Sequence, residues 1–148
     1  MKIENAPSQP EQVTALMEAA KSAAANAYAP YSGFRVGAAL LLSDGGIVSG
    51  ANVENASFGL TVCAERSALV RAVSERGPEI RIRAIAVANL NSSFSSPCGA
   101  CRQMLAEFVE KNAVVLYPSS ETVIENRPFA ELFPFPFAIS KTERRNTE

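Results

Sequence analysis

The chain has 148 residues, 47% of them hydrophobic, with 14 basic and 15 acidic side chains and a net charge of −1. That length supports one domain with its own core, and the even charge balance argues against a nucleic-acid partner, whose phosphates need a basic patch. The longest apolar runs are too short to span a bilayer, and Met1-Lys2-Ile3-Glu4-Asn5 lacks the apolar stretch of a secretory signal.

Residues 1–10 are polar, carry Pro7 and Pro10, and read as a loose lead-in. From Glu11 the pattern turns helical. Val13, Leu16, Met17, Ala20 and Ala24 recur at three- and four-residue steps and form one apolar stripe. Pro10 suits the start, and Pro30 disfavours helical geometry in the residue before it, so this helix is expected to end by Ala29. Tyr28 to Phe34 is a turn-rich loop with three aromatics. Loop aromatics most often cap a core edge, and that is the bland reading of Phe34.

Val36 to Leu42 is almost continuously apolar, the mark of a strand covered on both faces. Ser43-Asp44-Gly45-Gly46 is a hairpin turn, and Ile47 to Val53 returns as the antiparallel partner. Asn52 and Glu54 alternate across Val53 and share a face if the strand continues. They either bind a hydroxylated ligand or are solvated turn residues. Residues 56–62 connect to a second helix beginning at Cys63. Ala64, Ala68, Leu69, Ala72 and Val73 form its stripe, Arg66, Arg71, Glu75 and Arg76 its wet side, and Gly77-Pro78 its end.

Arg81 to Ala88 reads as a third strand and residues 89–96 as a polar loop. A third helix is expected from Cys101, with Met104, Leu105, Phe108 and Val109 on its apolar face. A strand at Ala113–Tyr117, a short fifth strand at Thr122–Ile124 and a brief helix at Pro128–Leu132 follow. Phe133-Pro134-Phe135-Pro136-Phe137 is too apolar for a free tail, whereas the charged end from Ser140 is expected to be loose. Strands alternating with helices predict an α/β fold of three layers, α/β/α, around a mixed, mostly five-stranded sheet. A single domain is expected over residues 1–148, with loose ends at 1–10 and 140–148.

All three cysteines lie in two short segments, Cys63-Ala64-Glu65-Arg66 and Pro97-Cys98-Gly99-Ala100-Cys101-Arg102-Gln103, and the chain has no histidine. Cys98 and Cys101 are spaced so that two thiolates reach one metal from a single turn, and Cys63 supplies a third. An odd number of cysteines suits a metal in a reducing cytoplasm better than a disulfide framework. A structural zinc takes four protein ligands; three leave a position open for a reactive water, and that count favours a catalytic site. A redox reading of Cys98 and Cys101 leaves the Cys63/Glu65 spacing unexplained. Zinc lowers the pKa of its water from ~15.7 toward ~7. Glu65, two residues after the first ligand, is close enough to take that water's proton without binding the metal. Three thiolates weaken the metal as a Lewis acid. Two helix N-termini offset this, as do Arg66 and Arg102 if they donate hydrogen bonds to sulfur; Arg66 is the better placed for this.

A Cys₃ zinc site with glutamate two residues after its first ligand and P-C-x-x-C downstream is the signature of zinc nucleobase deaminases. Tyr31-Ser32-Gly33-Phe34-Arg35-Val36-Gly37-Ala38-Ala39-Leu40, Asn52-Val53-Glu54-Asn55-Ala56 and Ser96-Pro97-Cys98-Gly99-Ala100-Cys101-Arg102-Gln103 occur in order with Cys63-Ala64-Glu65-Arg66. From about Tyr28 to Phe137 the sequence therefore resembles the small homotetrameric cytidine deaminases of pyrimidine salvage.

The resemblance implies hydrolysis of cytidine and 2′-deoxycytidine to their uridines with loss of ammonia. It implies one Zn²⁺ per subunit on Cys63, Cys98 and Cys101, with Glu65 as proton shuttle. Phe34 and Ala64 would line the pyrimidine pocket, while Asn52 and Glu54 would hold the ribose 3′-hydroxyl. Ala56, Phe58 and Phe137 would come from neighbouring subunits of a homotetramer. Phe58 stands where relatives often carry tyrosine, and the Phe-Pro repeat before Phe137 is unusual. A blasticidin S-type deaminase shares the cysteine motifs and is the alternative; Asn52 and Glu54 favour the nucleoside. A non-catalytic zinc-stabilised binding module would have no use for Glu65.

Overall fold

The structure, a computed structural model, describes residues 10–141. Of the loose ends expected at residues 1–10 and 140–148, all but residues 10, 140 and 141 lie outside the described residues, and Pro10 is the first residue of α1. Along the chain come helix α1 (Pro10–Ala24), strands β1 (Val36–Leu42) and β2 (Ile47–Ala51), a 3₁₀ turn (Phe58–Leu60) and helix α2 (Ala64–Arg76). Strand β3 (Ile82–Asn89), helix α3 (Gly99–Ala106), strands β4 (Val109–Pro118) and β5 (Ile124–Pro128), and helix α4 (Phe129–Leu132) follow.

The sheet order is β2-β1-β3-β4-β5. β1 runs antiparallel to both β2 and β3, β3 and β4 are parallel, and β5 is antiparallel to β4. The sheet is five-stranded and mixed, with helices on both faces, as expected. Alternation along the strands divides the core. Leu40, Leu42, Ile85, Val87 and Val115 face a layer that includes α2, α3 and α4, with Ala68, Leu69, Leu105 and Phe129 in the same cluster. Leu41, Ala84, Ala86, Val114 and Leu116 face α1 through Leu16 and Ala20. Two glycines let helices sit close on the sheet. A Cβ on Gly37 would lie 1.9 Å from the carbonyl oxygen of Ala20 in α1, and one on Gly50 would lie 2.4 Å from the backbone nitrogen of Ala68 in α2.

Several boundaries move from where local pattern places them. α1 stops at Ala24, inside the limit of Ala29 that Pro30 sets; residues 25–27 close a turn on the carbonyls of Ser22, Ala23 and Ala24, and Tyr28 then finds a distant partner. The Tyr28 N–H donates to the Asn52 carbonyl at 3.0 Å, and the Glu54 N–H donates to the Tyr28 carbonyl at 2.8 Å. β2 ends at Ala51, although Val53 stays extended by bridging Tyr28 and Val62. α3 begins at Gly99 rather than Cys101 and ends at Ala106, because the Phe108 carbonyl accepts from the Ile82 N–H at 2.9 Å and the chain has joined the sheet. Phe108 and Val109 therefore pack from the sheet side rather than from a helix. β4 accordingly starts at Val109 instead of Ala113. β5 lies at Ile124–Pro128 instead of Thr122–Ile124, since the edge strand is set by pairing Pro118 with Ile124 and Val114 with Pro128.

Candidate active site

Both cysteine segments enter helices from loops. Cys63 is the N-cap of α2 and Cys98 the N-cap of α3, each with an extended backbone. The N-cap position puts both residues at helix N-termini, where negative charge is favoured, although neither sulfur makes a capping hydrogen bond. Cys101, one turn into α3, is fully buried. The three sulfurs lie within 4.8 Å of one another. Cys63 Sγ is 3.9 Å from Cys98 Sγ, which is 3.5 Å from Cys101 Sγ. Tetrahedral zinc with ~2.3 Å Zn–S bonds needs sulfurs about 3.8 Å apart, so the cluster fits the ion with little adjustment.

The electrostatics agree. The hydrogen bond from Cys101 pushes the Cys63 thiol well below its ordinary range, and Arg66 adds to the effect. The same bond, together with burial, pushes Cys101 up. Arg66 Nη2 lies 3.7 Å from Cys63 Sγ and donates to the Thr61 carbonyl at 3.1 Å, so it is half-buried against the cluster rather than on the wet side. Arg102 does not reach sulfur. Its guanidinium donates to the Pro97 and Leu132 carbonyls, both at 2.7 Å, and to Ser96 Oγ at 3.3 Å. It braces the ligand loop instead of touching a ligand.

A cavity of about 250 Å³ opens beside the cluster, and Phe34, Asn52, Cys63, Ala64, Glu65 and Cys98 all line it. Glu65 is 4% exposed, and burial, reinforced by the charge on Cys63, raises its carboxyl to about 7. The cavity wall also includes Val36, Thr61, Val87, Phe94 and Ser95, which the sequence reading did not single out. Val87 is a core position by pattern, whereas Phe94, the one aromatic in the otherwise polar loop 89–96, was the available signal.

Asn52 and Glu54 do share a face: both reach the loop at residues 31–36. Asn52 Nδ2 donates to the Phe34 carbonyl at 2.8 Å, and its Oδ1 accepts from the Val36 N–H at 2.9 Å. Glu54 accepts from the Tyr31 and Ser32 N–H groups and from the Ser32 hydroxyl. The hydroxyl bond leads in holding its carboxyl below the usual range. Glu54 lines a second hollow with Tyr31, Ser32, Phe58 and Thr61, and Thr61 belongs to both hollows.

Three of the expected residues are not brought to the cluster within this chain. Ala56 is exposed on the loop before the 3₁₀ turn. Phe58 is 74% exposed, with its edge against Tyr31 at 6.1 Å between ring centroids. Phe137, also 74% exposed, lies beside Ala106 and Glu107 at the far end of α3. Its backbone exchanges two hydrogen bonds with the Gln103 side chain, at 2.9 and 3.2 Å.

Residues 10–117 match the family described as the cytidine and deoxycytidylate deaminase zinc-binding region. The chain is 45% identical over 122 residues to a cytidine deaminase of Halalkalibacterium halodurans, covering 82% of this chain and 91% of that one. It is 45% identical over 112 residues to a probable cytidine deaminase of Dictyostelium discoideum, 76% of each chain. The crystal structure of a Burkholderia pseudomallei cytidine deaminase superimposes with a TM-score of 0.74 at 43% identity, over 84% of this chain and 98% of that one. These matches give the blasticidin S alternative no support.

Proposed function

The chain belongs to the cytidine and deoxycytidylate deaminase family, and from that premise we propose that it hydrolyses cytidine and 2′-deoxycytidine to uridine and 2′-deoxyuridine, releasing ammonia, in pyrimidine salvage. The observation that carries this reading is Glu65: a carboxyl buried beside three clustered thiols, lining their cavity and poised to gain or lose a proton near neutrality.

Cys63, Cys98 and Cys101 would hold one Zn²⁺, which supplies Lewis acidity and acidifies a bound water. Glu65 takes a proton from the attacking water on a carboxylate oxygen and delivers it to N3 of the base. It then carries the second proton to the 4-amino nitrogen, which leaves as ammonia while the water oxygen becomes the 4-oxo group. A carrier that must both accept and donate works best with a pKa near the operating pH, and burial moves the Glu65 carboxyl up in that direction. Arg66 steadies Cys63 as a thiolate ligand.

At about 250 Å³ the cavity lies below the ~300–1,000 Å³ of pockets that engulf drug-sized ligands. It suits the planar base against Phe34 and Ala64, leaving the sugar to extend past Thr61 toward the second hollow. There the ionised Glu54 accepts a hydrogen bond from the ribose 3′-hydroxyl, with Asn52 beside it. The exposed Phe58 and Phe137 leave apolar surface that a monomer tolerates poorly. A homotetramer in which Ala56, Phe58 and Phe137 complete neighbouring sites accounts for both rings. Three unpaired thiols suit a reducing cytoplasm, and no helix among the described residues is long and apolar enough to cross a membrane.

The test is ammonia release from cytidine, 2′-deoxycytidine, cytosine and blasticidin S by zinc-loaded protein. Turnover of the two nucleosides above the other substrates is expected. No release from either nucleoside would end the reading.

A further inference from the structure

The loop that delivers Phe34 to the cavity is held by side-chain amides on both sides. Asn52 bonds the Phe34 carbonyl and the Val36 N–H. Asn91 bonds the two groups flanking the same residue. Its Nδ2 donates to the Gly33 carbonyl at 3.1 Å, and its Oδ1 accepts from the Arg35 N–H at 3.0 Å. Ser32 Oγ accepts from the Phe34 N–H at 2.9 Å. Five backbone groups on four consecutive residues, Gly33 to Val36, thus have their direction set by side chains outside regular structure. Gly33 sits at φ +68°, a left-handed turn that side chains rarely adopt, so the loop cannot relax into a strand.

Asn91 also belongs to the facing wall. Its own N–H donates to Asn89 Oδ1 at 2.9 Å, and that oxygen accepts from the Ser93 N–H at 3.1 Å as well. Asn89 Nδ2 donates to the Ser93 carbonyl and to Ser95 Oγ, at 2.6 and 2.7 Å. Ser95 anchors to β4 through its N–H, which donates to the Pro118 carbonyl at 3.0 Å. Phe94 rests edge-on against Tyr117, with ring centroids 5.9 Å apart. Phe94, Ser95 and Ser96 line the cavity together with Phe34. The two walls come from segments more than fifty residues apart, and Asn91 bonds the one directly to the other.

We propose that Asn91 is a positioning residue for the reaction: it latches the Phe34 loop to the Phe94–Ser96 wall and so sets the width of the slot that receives the planar base. The proposal rests on reading the cavity as the nucleoside site. A side-chain amide is suited to the task because it offers a donor and an acceptor at fixed separation to two backbone groups two residues apart. Cys63, Glu65 and Cys101 sit at the starts of α2 and α3, and Cys98 follows the wall only as the N-cap of α3, where Arg102 braces the preceding Pro97 carbonyl, so the latch governs binding of the base and not the proton transfers. Asn91 is itself exposed, so its replacement leaves the core packing intact.

The test uses zinc-loaded, full-length protein with Asn91→Leu, which keeps the volume and removes both bonds, and repeats the change in a Phe34→Ala background. Wild-type turnover of cytidine is the control; its absence would count against the function, whatever the variants do. Given wild-type turnover, Asn91→Leu is expected to raise KM for cytidine about ten-fold, the loss of one or two net hydrogen bonds. Its kcat should change less than about two-fold, with zinc at one ion per chain. In the Phe34→Ala background the same change should leave KM where Phe34→Ala put it, since no ring remains to be placed. An unchanged KM in the single variant would overturn the latch. So would additive effects in the double variant, or a fall in kcat that tracks zinc loss.

Discussion

Replacing Glu65 with glutamine should make the metal-free protein more stable while making the zinc-loaded protein nearly inactive. The carboxyl is 4% exposed, and its pKa rises from 4.5 to about 7 on folding, chiefly through burial. Between those values the folded state holds a proton that the unfolded chain has released, so stability falls as pH rises through this window. A rise of that size corresponds to about 3 kcal/mol, fully present above pH 7 and absent below pH 4.5. Glutamine fills the same space without a charge to bury. Urea denaturation of chelator-treated protein at pH 4 and pH 8 reads the effect. The variant should gain up to about 3 kcal/mol over wild type at pH 8 and almost nothing at pH 4. Zinc-loaded Glu65→Gln should retain its metal but lose at least ~10⁴-fold in turnover, the top of the range for one acid–base group, because the residue acts at several steps. An equal stability difference at both pH values would refute burial as the cause. Near-normal turnover with full zinc would refute the proton carrier.

Three further outcomes are expected. Cys98→Ala should lose zinc and stability together, since ligation and folding are coupled; a full zinc complement by metal analysis would show the ligand assignment wrong. Gly37→Ala should cost about 3 kcal/mol or more in denaturant unfolding, because its Cβ would meet the Ala20 carbonyl oxygen at 1.9 Å and the Ala24 nitrogen at 2.4 Å, both backbone atoms; wild-type stability would mean that α1 does not seat there. Phe58→Ala should weaken substrate binding. Mixing it with Glu65→Gln under subunit exchange should restore some activity if sites are shared, whereas an active monomer in sedimentation would refute sharing.

The elements legible in the sequence were those governed by local chemistry. β1 and the turn after it follow from an apolar run ending in Ser-Asp-Gly-Gly. The stop of α2 follows from Gly77, which sits at φ +85°. The ligands and Glu65 were legible because their spacing within one helical turn already encodes their geometry. The misplaced boundaries belong to partners far along the chain: Phe108 is captured by Ile82, and β5 by its pairing with β4. The site shows the same division. Asn91 bonds groups 56 and 58 residues away, and no periodicity in an Asn- and Ser-rich loop announces that. Arg102, by its neighbour Cys101, looked like a sulfur donor; only the fold shows that two of its N–H groups go to carbonyls and a third to a hydroxyl.

Helix α3 is eight residues long, too short to persist alone in water. Its order is borrowed at both ends. Cys98 and Cys101 tie the first turn to the ligand cluster, while Arg102 and Gln103 tie its flank to the chain at Leu132 and Phe137. A helix so dependent opens as one unit, with a free energy below that of global unfolding. Loss of the metal is expected to loosen this unit, and the amide of Phe137, bonded to Gln103, is its reporter. Its hydrogen–deuterium exchange should quicken on chelation, while the amides of β3 and β1 keep their protection.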